Sequence, residues 1–186
     1  MRKAFHVVAT TIALFACADA SAATLQQMSV DQMIQAATAI VRARVTGASA
    51  SFTGSTIYTH YQLQVTESWK GFTPVEVAIP GGVATAPGGA AYRQSFPGMP
   101  QLTVGTEYLM FLWTSKSTGI THLLGLSQGL FNLTRQSDGS TLATRPLIGE
   151  MILDASGQKV IDHAVQLNLS SLRAQVSGGL QKAAAQ

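Results

Sequence analysis

Ala39-Ile40-Val41-Arg42-Ala43-Arg44-Val45 alternates Ile40, Arg42 and Arg44 with Val41, Ala43 and Val45. A period of two suits a strand with one wet face and one dry face. Just upstream the period is different. Ser29 stands three residues before Gln32, a capping-box spacing, and Met33, Ile34 and Ala37 make an apolar stripe opposite Gln32 and Gln35. The chain therefore passes from a short helix into a strand near Ala39.

Downstream, residues 47–55 (GASASFTGS) predict a loop or hairpin tip. TIYTHYQLQVTESW then predicts a long strand, with Tyr58, His60, Gln62, Gln64 and Thr66 on one face. Tyr61, Leu63, Val65 and Glu67 fall on the other. The turn at Lys70-Gly71-Phe72-Thr73-Pro74 leads to a third strand, VEVAIP, stopped by Pro80-Gly81-Gly82. Residues 81–102 are rich in Gly, Ala and Pro and read as a surface excursion, the best place for a binding loop.

Strands resume with TEYLMFLW, THLLGL and GLFNLTR, and Asp138-Gly139 is a strong hairpin signal. MILDASGQKVID predicts a last hairpin turning at Ala155-Ser156-Gly157. Leu172, Val176 and Leu180 then recur at helical spacing, although Gly178-Gly179 should fray that helix. The pattern as a whole is all-β, with a helix at each end. It divides into a leader at 1–22, a β-domain at 23–150, and a terminal hairpin and helix at 151–186.

The leader is read from Met1-Arg2-Lys3, the apolar run after it, and the small residues Ala18-Asp19-Ala20 and Ala20-Ser21-Ala22. This is signal-peptide patterning with cleavage near Ala22, so the expectation is an exported protein, periplasmic or secreted. A rival reading ends a lipobox at Cys17 and makes a lipoprotein, but Phe15 is bulky for such a box. Without Cys17 the mature chain has no cysteine, and its stability must come from a packed core. Removing residues 1–22 takes away Arg2, Lys3 and Asp19, so the net charge falls from +3 to +2. Such a near-balance, with no Lys/Arg run, points away from nucleic acid. No later segment reads as a transmembrane span.

Candidate chemistry is sparse. Gly125-Leu126-Ser127-Gln128-Gly129 fits G-x-S-x-G, with His122 close by and Asp154, Asp162 and His163 later. A nucleophile elbow needs a strand before it and a helix after it, and here LFNLTR follows as a strand pattern. Gly125 and Gly129 instead suit a bulge or a close strand crossing. His60, His122 and His163 lack the short spacings that seat two metal ligands on one element. The glycine-rich 81–90 segment lacks the Lys-Ser/Thr of a phosphate loop. Among the acidic residues Glu67, Glu76, Glu107 and Glu150, nothing brings two together, and Glu107 is expected to pair with a cation at a strand start. No catalytic residue, cofactor or metal ligand is therefore assigned. Four binding candidates remain: Trp69, in the Trp69-Lys70-Gly71 turn, and Tyr92, Arg93 and Phe96 in the excursion. Trp69 has a competing structural reading, closing one end of the sheet while Gly71 supplies a positive-φ turn.

The succession IVRARV, TESWKG, VAIP with PGG, VGTEYLMFLW and GLSQGLFNL resembles a family of uncharacterised exported bacterial β-proteins over roughly residues 29–133. More distantly it is similar to the amino-terminal OB-type barrel of the netrin-like module and of the tissue inhibitors of metalloproteinases. That resemblance implies an OB-like or netrin-like barrel, and an exported protein such as a protease as partner. The inhibitors present a disulfide-held amino-terminal cysteine to the protease zinc, whereas this chain is expected to begin at Ala23 or Thr24. The expectation is a non-enzymatic binding module. The alternatives are a small secreted serine hydrolase using Ser127 and His122, and an envelope-associated structural protein.

Overall fold

The computed structural model describes residues 24–185; the leader assigned to residues 1–22, Cys17 included, lies outside them. In chain order the elements are β1 (Thr24–Gln26), α1 (Val30–Ala36), β2 (Ala39–Thr53), β3 (Thr56–Lys70), β4 (Glu76–Pro80), β5 (Gly82–Thr85), β6 (Ala91–Gln94) and β7 (Glu107–Thr114). There follow β8 (Thr121–Leu123), β9 (Leu130–Arg135), β10 (Thr141–Arg145), β11 (Met151–Leu153), β12 (Lys159–Val160), β13 (Val165–Asn168) and α2 (Leu169–Ala184). The chain is β-rich, as its alternating pattern predicts.

One antiparallel sheet dominates, in the order β13-β10-β9-β7-β2-β3-β4. β8 pairs with the second half of β7, on the edge that β9 uses in the first half. The sheet curls far enough to bring β8 beside β4. Among the described residues no backbone ladder joins those two strands. The seam is bridged by His122, whose Nδ1 donates to the Ala78 carbonyl at 3.1 Å.

The alternation in β2 explains both cores. Ala39, Val41, Ala43 and Val45 are buried inside the curl with Tyr108, Met110 and Leu112 of β7. Ile40 is equally buried, but on the opposite face, with Leu109, Phe111 and Phe131 under the two helices. The face predicted to be wet is thus dry at its first position, because α1 and α2 cover that end. It becomes polar only at Arg42 and Arg44. Burial on both faces is why Tyr108 to Leu112, YLMFL, reads as an unbroken apolar run.

Several expectations need correction. Residues 47–53 continue β2, so the hairpin tip is only Gly54-Ser55. Glu67 does not share a face with Tyr61 and Leu63. Arg42 pairs with Glu67 and Ala43 with Val65, so Thr66 is an extra residue and the bulge turns Glu67 outward. There it meets Arg42 at 2.8 Å, while Arg42 also holds Glu107 at 2.7 Å, the cation expected at that strand start. The 81–102 excursion carries a hairpin of its own, β5–β6.

The helices follow the sequence more closely. Ser29 and Gln32 form the full capping box. α2 runs unbroken through Gly178-Gly179, against the predicted fraying. A side chain at Gly179 would press on Ile34 of α1 at 3.1 Å, and the Gly179 carbonyl accepts from Gln35 Nε2. Small residues at that crossing let the helices approach, and the packing of Leu172 and Val176 outweighs the glycines' poor propensity. The 151–186 segment is built into the whole: β13 extends the main sheet, and β11 pairs with β12 and, in parallel, with β1. Among the described residues no helix is long and apolar enough to cross a membrane.

Candidate functional site

The site begins where β4 ends. Gly81 and Gly82 take φ of +106° and +135°, and a side chain at Gly82 would collide with the Thr59 hydroxyl. The chain can therefore turn sharply and lay β5 against the projecting end of the β2–β3 hairpin. β6 follows, and its alternate residues do different work. Gln94 faces the β2–β3 hairpin, where its Oε1 accepts from Ile57 N–H at 2.6 Å and its Nε2 donates to the Ser55 carbonyl at 2.8 Å. The carboxamide so completes a strand edge with a side chain. Tyr92, on the same face, meets Phe52 edge-on with ring centroids 6.0 Å apart.

Arg93 and its cross-strand neighbour Val83 point the other way. They line a cavity of about 310 Å³ together with Tyr61, Ile79, Phe96, Met99 and Pro100. Tyr92 is 52% exposed and Phe96 38% exposed. Among the described residues Arg93 has no hydrogen-bond or ion-pair partner. Arginine at such a position offers a planar fork of donors to a carboxylate or phosphate. Of the four predicted binding residues, Arg93 and Phe96 thus line one cavity, while Tyr92 lies on the other face of β6 against Phe52.

Trp69 does not join them. It lies ten residues along β3 from Thr59, about 33 Å at the rise of a strand. The Trp69-Lys70-Gly71 turn serves the opposite end of the sheet. Trp69 packs beside the helix-covered core and donates to Glu67 Oε2 at 3.0 Å. Lys70 Nζ caps α1 through the Ile34 and Gln35 carbonyls at 2.6 and 3.0 Å. Burial there pulls its ammonium below the usual lysine range. Gly71, at φ +70°, passes directly against the Thr38 carbonyl. The Trp69 indole, then Arg42 and Arg173, hold the Glu67 carboxyl below its ordinary range against the opposing effect of burial.

His122 and Ser127 are not hydrogen-bonded to each other. The His122 ring is committed to Ala78 and lies between Trp113 and Tyr58, with centroids 6.2 and 6.1 Å away. Within G-x-S-x-G the residues with left-handed backbone are Gly125 and Leu126, both at φ +59°, and not the serine. Gln128 carries the buried side chain of that motif. Its Oε1 accepts from Met28 N–H and its Nε2 donates to the Gln26 carbonyl, both at 2.9 Å, which clamps β1 to the molecule. His60 pairs with Glu76 at 2.7 Å, and the His163 carbonyl accepts from Arg145. Among the described residues no three His, Cys, Asp or Glu side chains are grouped to hold a metal.

Sequence reasoning missed Gln94 and Gln128, because a glutamine that replaces a backbone partner leaves no local pattern. It also missed Arg145–Asp162, whose members are seventeen residues apart in the chain. The chain matches no family model, and no curated protein matches it.

Proposed function

We propose that this chain is an exported, non-enzymatic binding module on an OB-like or netrin-like scaffold, and that its contact surface is the β5–β6 hairpin with the segment to Met99. The observation that carries the reading is Arg93. It is an exposed guanidinium with no partner among the described residues, set at the rim of a cavity that exposed Phe96 also lines, with exposed Tyr92 on the other face of the same strand. Cation and aromatic groups of this kind dominate binding energy at many interfaces. A partner among exported proteins, such as a protease, accords with the leader pattern read in the sequence.

The test is crosslinked capture from the native host with the protein tagged at its carboxyl end, followed by mass spectrometry. The expected result is one exported partner recovered reproducibly, and lost when Arg93 and Phe96 are both changed to Ala. Capture unchanged in that double variant overturns the surface. A bait that recovers nothing from its own host overturns the binding-module reading.

A further inference from the structure

β6 is the outer strand of a two-stranded sheet, so one of its edges has no strand beside it. The hydrogen-bond phase of that edge follows from the register. Ala86 N–H donates to the Ala90 carbonyl, and Ala84↔Tyr92 and Gly82↔Gln94 lie two and four residues further along the same ladder. In an antiparallel pair, bonded and non-bonded pairs alternate. Ala84–Tyr92 and Gly82–Gln94 are therefore bonded pairs, while Thr85–Ala91 and Val83–Arg93 are not. The N–H and C=O groups of Ala91 and Arg93 consequently point away from β5, into the open edge. Neither residue's backbone has another partner among the described residues, and Ala91, Tyr92 and Arg93 are all exposed.

Exposed strand edges are usually blunted by bulges, prolines or a covering loop. This one has none of these between Ala91 and Gln94. It is also held still: the two Gln94 hydrogen bonds and the Phe52–Tyr92 contact fix β6 to the β2–β3 hairpin from one face. The opposite face carries Arg93 at the cavity rim. A strand laid beside β6 would meet two outward N–H groups and two outward carbonyls. Alternate side chains of that strand would fall on the Arg93 face.

We infer that the β6 edge recruits an extended peptide segment by strand addition, with an acidic side chain of that segment paired to Arg93. The inference rests on the binding-module reading and names the partner's chemistry: an extended acidic stretch of another protein. Main-chain hydrogen bonds give such a complex its affinity, and alternate side chains give it selectivity. Charge complementarity selects this occupant over a second copy of the chain, whose own β6 would bring another unpaired arginine to the same edge.

The test pans a phage-displayed library of random peptides against the full chain and against two variants. Ala91→Pro deletes only an N–H that points outward, and an edge strand tolerates proline there. Arg93→Glu reverses the charge and leaves the ladder intact. The expected enrichment is for peptides free of proline, with Asp or Glu recurring at alternate positions. Their affinity should fall roughly tenfold in Ala91→Pro, the scale of one hydrogen bond. Arg93→Glu should select Lys or Arg in place of the acids. A circular dichroism spectrum and melting temperature equal to the parent's separate these effects from misfolding. Absence of enrichment overturns the inference. Enrichment of peptides indifferent to both variants also overturns it, as does concentration-dependent dimerisation through β6. Host capture that succeeds while Ala91→Pro and Arg93→Glu leave it unchanged keeps the binding module and removes the strand-addition mode.

Discussion

Arg145 and Asp162 face each other through two hydrogen bonds, Nη1 to Oδ2 at 2.7 Å and Nη2 to Oδ1 at 2.9 Å. Both residues are only 8% exposed. The same carboxylate accepts from Ile148 N–H at 2.8 Å, and Arg145 also donates to the His163 carbonyl. One ion pair thus ties the segment between β10 and β13 back onto the main sheet. Removing one member leaves the other buried and uncompensated, so Asp162→Ala should destabilise the fold by about 3–5 kcal/mol in urea unfolding. Replacing both together, Arg145→Met with Asp162→Leu, should recover most of that loss. A single variant as stable as the parent would mean that the loop is held by its apolar contacts alone.

The pair also sets a pH dependence. Burial acts to raise the Asp162 carboxyl, but the hydrogen bonds from Arg145 and Ile148 outweigh it and hold the group below its ordinary value. A carboxylate whose folded pKa lies under its unfolded value, about 3.9, contributes stability that is complete above that value. The contribution is lost as pH falls through the lower folded value. Urea midpoints for the parent should therefore decline on acidification, and Asp162→Asn should flatten the decline. Glu67→Gln should flatten it less, since that carboxyl is more exposed and solvent screens its partners. Equal slopes in the parent and both variants would assign the acid sensitivity elsewhere.

The local code was legible where one element explains itself. Ser29 with Gln32, the alternation from Ala39, the Asp138-Gly139 turn and the last hairpin all appear as their residues suggest. What escaped depends on residues far apart in the chain. Ile40 is dry because α2, more than a hundred residues later, covers it. Glu67 changes face because a bulge at Thr66 resets the count, and bulges arise from the fit of two strands rather than from one. Arg93 and Phe96 could be singled out because polar glycine-rich loops seldom carry them. The strand that presents Arg93 could not, since β6 is held by Gln94 and its edge is defined only by its register with β5.

Gly71 and Gly139 separate two penalties that sequence alone confounds. Both have left-handed backbone, at φ +70° and +84°. A side chain at Gly139 would meet open space, so Gly139→Ala should lose only the conformational term, about 1–2 kcal/mol. A side chain at Gly71 would strike the Thr38 carbonyl and dislodge the turn that carries Lys70 to the end of α1. Gly71→Ala should therefore lose clearly more than Gly139→Ala in matched thermal melts. Equal losses would show that the Thr38 segment gives way easily.

Gln128 gives a local readout. Its side chain is 3% exposed, and it serves the backbone of Gln26 and Met28 rather than any reacting group. Gln128→Ala leaves the part-buried Met28 N–H and Gln26 carbonyl without this partner, at about 1 kcal/mol for each lost bond. Amide exchange at Met28 should accelerate strongly while exchange in β2 and β7 stays slow. Acceleration spread evenly over the whole sheet would instead make Gln128 part of the global core.

Gln94 tests how firmly the candidate surface is presented. Its carboxamide accepts from Ile57 N–H and donates to the Ser55 carbonyl, so the two bonds can be removed separately. Gln94→Glu keeps an acceptor for Ile57 but has no donor for Ser55, whereas Gln94→Ala loses both. β5 rests on the β2–β3 hairpin through buried Ala84, whereas β6 is exposed and is tied to that hairpin by these bonds and the Phe52–Tyr92 contact, so its opening should be local. Amide exchange in β5 and β6 should rise in the order parent, Gln94→Glu, Gln94→Ala, each lost bond weakening closure by about 1 kcal/mol. Melting temperature should change little across the series. Partner capture should fall in the same order as exchange rises, because a loosened β6 must be ordered again before it can bind. If capture instead stayed constant while exchange rose, the partner would grip Arg93 and Phe96 directly, and the rigidity of β6 would have no part in recognition.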